Sequence, residues 1–274
     1  MPKIDVNVSE NVTDLANKPI HNLFDKSTAA LGNGLASAFS LVFAPIEYLG
    51  QSAQLAYQYR IEKKQLSYQK NIEAYKQELE DKVKKIPQEN LIEPDFHTAY
   101  EALENSKSCI TDEELRKMFV NLISSSMNST TSDSVHPSFA SIIKQMSVLD
   151  AKVLMTFKFR KDHPILELRE RDTHGGYQTV MTNFFIYITL NENEQIDLNI
   201  TQIQNSISNL DRLGLVDVDY SKRLTNEQCY SDLEENANRL YEGHSIAVEN
   251  RMMQRGIVFL TPLGESFIRV CLSD

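Results

Sequence analysis

The chain has 274 residues, 41% of them hydrophobic and 24% charged, so it is long enough to bury a packed core and is not disordered throughout. Its 28 basic and 38 acidic residues give a formal net charge of -10. This charge excludes a molecule-wide attraction to nucleic acid or anionic lipid, so any such binding must be local.

The cysteines and the first residues indicate the compartment. Cys109, Cys229 and Cys271 lie far apart and in no metal-ligand spacing, which argues against a disulfide framework and against a thiolate metal site. Residues 1–19 carry acidic and polar side chains where a secretory signal needs a basic start and an apolar run. The sequence therefore predicts a cytoplasmic protein.

The pattern of residues 1–24 predicts a tail. That of residues 25–87 predicts two helices, of which the first is apolar. The segment 27–46 has no charged residue. Large apolar residues recur along it at helical spacing, namely Leu31, Leu35, Phe39 and Phe43. Small residues four apart, Ala30, Gly34 and Ala38, mark a second face that lets another helix approach closely. This pattern favours a helix stored against the protein body, with entry into a membrane as the alternative.

Residues 50–87 predict a long, highly charged helix that ends before Pro87. Its apolar seam is thin and follows a heptad spacing through Ile61, Tyr68, Ile72, Tyr75 and Leu79. Gln58 and Gln65 at seam positions weaken it. We therefore expect this coiled-coil-like helix to pair with another helix, either in the same chain or in a second chain.

The middle region, residues 88–146, predicts a bundle of short helices. Thr111 and Glu114 have the spacing of a capping box at the start of "TDEELRKMFVNLISSSMN". Pro137 suits the first turn of the next helix, "HPSFASIIKQM". A further helix is expected over "EPDFHTAYEALENS".

Residues 147–274 predict a winged-helix-like domain. Ser147 and Asp150 form a cap pair for one helix, and a Gly-Gly turn predicts a hairpin after Pro164. A helix over 199–213 is closed by Gly214. "LVDVDY" and "GIVFL" read as antiparallel strands, and the last helix follows a Thr-Pro cap at 261–262.

An insertion at about 221–255 lies between these two strands and is far longer than a hairpin loop. It carries its own helical stripe of Leu233, Ala237, Leu240 and Tyr241. The expected fold class is thus mainly α (α+β): N-terminal long helices, a middle helical bundle, and a C-terminal winged-helix-like module with a small antiparallel sheet.

The winged-helix-like domain lacks the net positive charge that is typical of a DNA-binding domain. Residues 147–274 contain 13 basic and 19 acidic residues. The helix over 199–213 has Asp211 and Arg212 as its charged residues, although four amides could read bases: Gln202, Gln204, Asn205 and Asn209. Because phosphate contacts dominate DNA affinity, we expect this domain to pack against protein instead.

No catalytic, cofactor or metal site is predicted. The six histidines do not assemble, since no two of them lie at helical ligand spacing. "TPLGES" lacks the G-x-S-x-G frame of a nucleophile elbow, and no phosphate-cradling glycine loop is present. The sequence therefore favours a protein that is not an enzyme.

Five stretches in order carry a family resemblance. They are "IPQENLIEP", "DEELRKMFVNLISSSMN", "HPSFASIIKQMSVLDAKVL", "ISNLDRLGLV" and "FLTPLGESFIRVC". Together they resemble the abortive infection alpha (Abi-alpha) family of bacterial proteins over roughly residues 60 to 272. The resemblance implies a part in defence against phage, in which an infected cell stops growing or dies. It supplies no catalytic residues.

Three hypotheses follow. The first is a non-enzymatic anti-phage protein whose winged-helix-like domain and long helix bind protein, including its own copies as an oligomer. The interaction residues expected for it are those of the apolar stripe in 27–46 and of the long-helix seam. The second is a membrane-perturbing effector that uses residues 27–46, with membrane association in the cell. The third is a nucleic-acid-binding regulator, which the acidic charge disfavours.

Overall fold

The computed structural model describes residues 62–185, 200–243 and 246–273. The predicted tail at 1–24 and the predicted apolar helix at 27–46 lie outside these residues. The described part is a mixed α and β fold with eight α-helices and one four-stranded antiparallel sheet. The predicted α+β class with a small antiparallel sheet is therefore confirmed.

The long charged helix, α1, covers Glu62–Lys84 in the described part of the chain. It ends three residues before Pro87, and a 3-10 turn over Gln88–Asn90 follows that proline. Tyr75 and Leu79 have no exposed surface and pack towards helix α3, Glu113–Ser126. The described seam of the long helix is thus part of this chain's own core.

The other helices of the middle region are α2, Phe96–Ser106, and α4, Phe139–Lys144. The predicted capping box of Thr111 and Glu114 is wrong, because α3 begins at Glu113 with Asp112 as its N-cap and no side-chain cap bond. Pro137 does not occupy a first turn either, since Ser138 is the N-cap of α4. In both places the chain continues as a turn for one or two residues more than the local pattern indicates.

Helix α5, Val148–Thr156, starts as predicted. The Asp150 N–H donates to Ser147 Oγ at 3.1 Å, and the Ser147 N–H donates to Asp150 Oδ2 at 2.7 Å. This reciprocal pair satisfies two backbone donors that the first turn of a helix leaves free.

The sheet contains β1, Asp162–Arg171; β2, Tyr177–Phe184; β3, Val216–Asp219; and β4, Arg251–Leu260. The strand order is β2-β1-β4-β3. Both predicted antiparallel pairings, β1 with β2 and β3 with β4, are confirmed. The predicted strand "GIVFL" is too short, because residues 251–255 pair with β1 and lengthen β4 at its start.

Two more helices flank strands β3 and β4. Helix α6, Ile200–Arg212, is followed by Gly214 at φ 73°, which confirms the predicted C-cap. Helix α8, Pro262–Cys271, begins at the predicted Thr-Pro cap, where Thr261 Oγ1 accepts the Gly264 N–H at 3.0 Å.

Helix α8 returns to the middle region. The Asn121 side-chain amide of α3 donates to the Cys271 carbonyl at 2.9 Å, and Ser125 Oγ donates to the Val270 carbonyl at 3.2 Å. One apolar cluster runs from α1 through α3 to α8. The domain boundary at residue 147 stays a prediction, since this cluster contains residues from both sides of it.

The insertion forms helix α7, Gln228–Gly243, which covers one face of the sheet and builds a second apolar cluster. Tyrosine hydroxyls attach it to the strands. Tyr241 Oη accepts the Arg169 N–H at 2.9 Å and donates to the Met252 carbonyl at 2.5 Å. Tyr230 Oη donates to the Gly256 carbonyl at 2.8 Å. The insertion is therefore an integral part of the sheet's packing.

His163, at the start of β1, lies between two phenylalanine rings. Its ring centroid is 4.7 Å from that of Phe157 and 5.5 Å from that of Phe185, both edge-on. The buried Nε2 atom has no hydrogen-bond partner among the described residues. Burial lowers the pKa of His163, and the Arg160 guanidinium lowers it further.

This lowered pKa predicts a stability that falls on acidification. Below about pH 6.5 the unfolded chain protonates His163 before the folded chain does, so stability is lost as the pH falls from there towards the lower folded-state pKa. Denaturant unfolding at a series of pH values, with wild type and His163→Gln compared, isolates this contribution. We expect wild type to lose more stability than the variant over this range; parallel curves would contradict it.

Candidate protein-interaction groove

A groove lies between the end of α4, the start of α5 and the outer face of α6. Its volume is about 640 Å³. Its lining combines two charged side chains with amides, hydroxyls and apolar side chains: Lys144, Gln145, Met146, Ser147, Leu149, Asp150, Gln202, Asn205, Ser206 and Asn209.

Side-chain hydrogen bonds hold α6 to the turn before α5 and fix the groove's shape. Asn209 Nδ2 donates to Asp150 Oδ2 at 2.9 Å and to the Gln145 carbonyl at 3.1 Å. Arg212 Nη1 donates to Gln145 Oε1 at 3.2 Å. Because Asp150 also caps α5, one carboxylate organises both sides of the groove.

The groove offers side-chain amides around an apolar floor, with the exposed Lys144 also in its lining. Gln145, Gln202 and Asn205 are exposed at its rim, whereas Met146 is buried and Leu149 half-buried at its base. A side-chain amide presents both donors and an acceptor, as a peptide backbone does. The groove therefore has the chemistry to bind an extended polypeptide that places an apolar side chain on the floor.

Two of the four amides that could read bases are occupied within the chain. The Gln204 side chain donates to the Thr182 carbonyl, and Asn209 holds the α5 turn. Gln202 and Asn205 remain exposed. The face of α6 thus keeps half of the base-reading groups that its sequence contains.

Ser206, in the wall of the groove, has a buried hydroxyl with no hydrogen-bond partner among the described residues. Only 2% of the residue is exposed. An unsatisfied buried hydroxyl costs about 1 to 3 kcal/mol.

Ser206→Ala is therefore expected to raise the free energy of unfolding by about 1 kcal/mol, since it removes that hydroxyl and improves helix propensity. Ser208→Ala is the matched control on the same helix. Its exposed hydroxyl accepts from Asn183 Nδ2 at 3.0 Å, so its removal brings no such gain. Denaturant unfolding measures both, and a less stable Ser206→Ala would show that the hydroxyl is satisfied.

None of the predicted interaction residues that the structure describes lines this groove. Leu31, Leu35, Phe39, Phe43 and Ile61 lie outside the described residues. The described members of the long-helix seam belong to the core: Tyr68 is half-buried, and Ile72, Tyr75 and Leu79 are buried. Sequence reasoning missed the groove because its residues come from two distant segments, and the amide pattern of α6 was its one local signal.

Among the described residues, no group of three or more His, Cys, Asp or Glu residues is placed to hold a metal ion. None of the helices described is both long enough and apolar enough to cross a membrane.

Comparison with known proteins places the chain in a family. The family described as abortive infection alpha matches residues 67–271. No curated protein and no solved structure matches the chain. The family match spans most of the described structure, from α1 to the end of α8. The chain therefore belongs to the abortive infection alpha family, which implies a general role in defence against phage.

Proposed function

We propose that this chain acts in abortive infection without enzymatic chemistry, by binding protein, including copies of itself. The groove between α5 and α6 carries the proposal, because its amide-rich rim and apolar floor suit a polypeptide segment. We further propose that residues 147–274 form a winged-helix-like module used for protein contact.

The electrostatics of this module support protein binding over DNA reading. The described part of α6 has one acidic and one basic residue, Asp211 and Arg212. Two of its four amides bond within the chain. DNA affinity depends chiefly on cationic contacts to phosphate, and this face supplies few of them.

The groove is tested by filling it. Asn205→Trp places a large side chain at the exposed rim, where it leaves the core untouched. We expect cells that carry this variant to lose protection against a phage that wild type blocks, with plaque numbers rising at least about tenfold, because a blocked hot spot weakens protein binding by that order. The variant's melting temperature should match that of wild type.

Asn238→Trp is the matched control, since Asn238 is exposed on α7, outside the groove lining. It should protect as wild type does. Full protection by Asn205→Trp would show that the groove is not used. Sequence-specific binding of duplex DNA by wild type at physiological salt would instead favour the nucleic-acid alternative.

A further inference from the structure

Strand β2 forms an outer edge of the sheet. It pairs with β1 on one side, and no strand among the described residues pairs with its other side. Tyr177, Gln178 and Thr179 are exposed. An open strand edge presents free N–H and C=O groups to which another strand can add.

The hairpin register shows which backbone groups are free. The Asp172 N–H donates to the Gly176 carbonyl at 3.0 Å, so this is a hydrogen-bonded pair. Hydrogen-bonded and non-hydrogen-bonded pairs alternate along antiparallel strands. Tyr177 opposite Arg171 and Thr179 opposite Arg169 are consequently non-bonded pairs, and the N–H and C=O groups of Tyr177 and Thr179 point away from β1.

The open part of the edge is short and well defined. A register irregularity follows Thr179, between its partner Arg169 and Leu168. Beyond it, α6 covers the edge, because Gln204 bonds to the Thr182 carbonyl and Asn183 Nδ2 donates to Ser208 Oγ at 3.0 Å. Residues 177–179 are therefore the part that a second strand can reach.

This edge lacks the usual protection against pairing. Exposed edge strands commonly carry lysine or proline, which prevents association. Residues 177–185 contain no charged residue and no proline. Two copies of a chain with net charge -10 repel each other over most of their surfaces, so an uncharged edge is where they can meet with least repulsion.

The side chains at the edge are held in place for such a contact. The Arg169 guanidinium lies 4.3 Å from the centre of the Tyr177 ring, and Thr179 Oγ1 donates to Glu167 at 2.8 Å. Gln178 Nε2 donates to Glu170 at 2.9 Å. An edge whose side chains are already ordered loses less entropy on pairing.

We propose that the occupant of this edge is the β2 strand of a second copy, paired antiparallel about a two-fold axis at Gln178. This deepens the self-association in the proposed function and rests on it. Tyr177 then lies opposite the partner's Thr179, and Thr179 opposite the partner's Tyr177. These two hydrogen-bonded pairs supply about four backbone hydrogen bonds and join two four-stranded sheets into one.

The two-fold axis gives a sharp test, because Gln178 would face its own counterpart. Gln178→Lys alone and Gln178→Glu alone each place like charges opposite one another in the full-length chain. Each should raise the dissociation constant of the dimer at least about tenfold, as like-charge contacts across an interface do. An equimolar mixture of the two variants should restore the dimer, since opposite charges then meet.

Thr179→Pro is a second, uncharged variant. It removes an N–H that points away from β1, so the hairpin keeps its internal bonds while the dimer loses a donor. Asn238→Lys, on the exposed face of α7, is the control and should leave the dissociation constant unchanged. Sedimentation equilibrium measures mass, and circular dichroism checks that each variant is folded.

A monomeric wild type at every concentration overturns the inference, and so does a dimer that survives in folded Gln178→Lys and Thr179→Pro. The inference is also overturned if each single-charge variant forms a dimer by itself and the equimolar mixture does not. None of these results touches the groove, whose role is decided separately by the protection that Asn205→Trp gives. The groove's role in the proposed function can therefore fail while the edge pairing stands, and the reverse.

Discussion

Replacing Arg116 with methionine is expected to lower the free energy of unfolding by about 3 to 5 kcal/mol, the usual effect of removing one partner of a buried ion pair. Arg116 lies on α3 with 8% of its side chain exposed. Its Nη2 atom donates to Glu78 Oε1 at 2.8 Å, and Nε donates to Glu78 Oε2 at 3.2 Å. Nη1 donates to the Ile110 carbonyl at 3.2 Å.

The loss is large because the substitution leaves several acceptors without a donor. Glu78 is on α1, with 28% of its side chain exposed, and it would keep a poorly solvated charge. Methionine has a similar volume, so the experiment removes charge and hydrogen bonds and leaves packing nearly intact.

Lys117→Met is the matched control, one residue along the same helix. Lys117 bonds to Glu113 at 2.5 Å, but both side chains are more than half exposed. Such surface pairs contribute about 0 to 1 kcal/mol. Denaturant unfolding compares the two variants, and equal losses would mean that the buried pair contributes no more than the surface pair.

Gly264→Ala is expected to destabilise the chain by about 3 kcal/mol, the upper end of the usual range for overpacking a core. In the interior of a helix this change ordinarily stabilises by about 1 kcal/mol. The sign reverses here because an added Cβ would lie 1.9 Å from the Leu215 carbonyl oxygen and 2.9 Å from its carbon. These are backbone atoms, so they cannot turn aside as a flexible side chain can.

The same carbonyl has a structural role that resists movement. The Leu215 oxygen accepts the Thr261 N–H at 3.1 Å, which joins the start of β3 to the cap of α8. Ser266→Ala, two residues further along α8, is the control and should change stability by less than about 0.5 kcal/mol, as most substitutions outside a core do. A stability of Gly264→Ala at or above that of wild type, measured by denaturant unfolding, would refute the close approach.

Structural features that depend on a few neighbouring residues could be predicted from the sequence. The Ser147–Asp150 capping box, the Gly214 C-cap and the Thr-Pro start of α8 are all confirmed. Each is a local balance of hydrogen bonding and backbone conformation, so distant residues have little influence on it. The two failed helix starts, at Thr111 and Pro137, show that a cap-like local pattern can lie one or two residues before the helix begins.

The candidate groove could not be predicted, because it depends on where α6 meets the turn before α5. The amides of α6 look alike in the sequence. Packing gives them different partners. The Gln204 side chain donates to a carbonyl of β2 and that of Asn209 to Asp150. Gln202 and Asn205 are exposed to solvent. The open edge of β2 likewise follows from strand order, which no short window of sequence contains.

The sequence by itself determined the α+β class, the two antiparallel pairings, the helix caps at Ser147, Gly214 and Thr261, and the family, because periodicity, caps and turn residues act over a few positions. Only the tertiary structure decided that the described seam of the long helix is buried against α3, that β4 begins at Arg251 to pair with β1, and that the insertion covers the sheet. Each of these depends on which apolar surfaces meet between segments far apart in the chain, and that choice is made by the burial of the whole core.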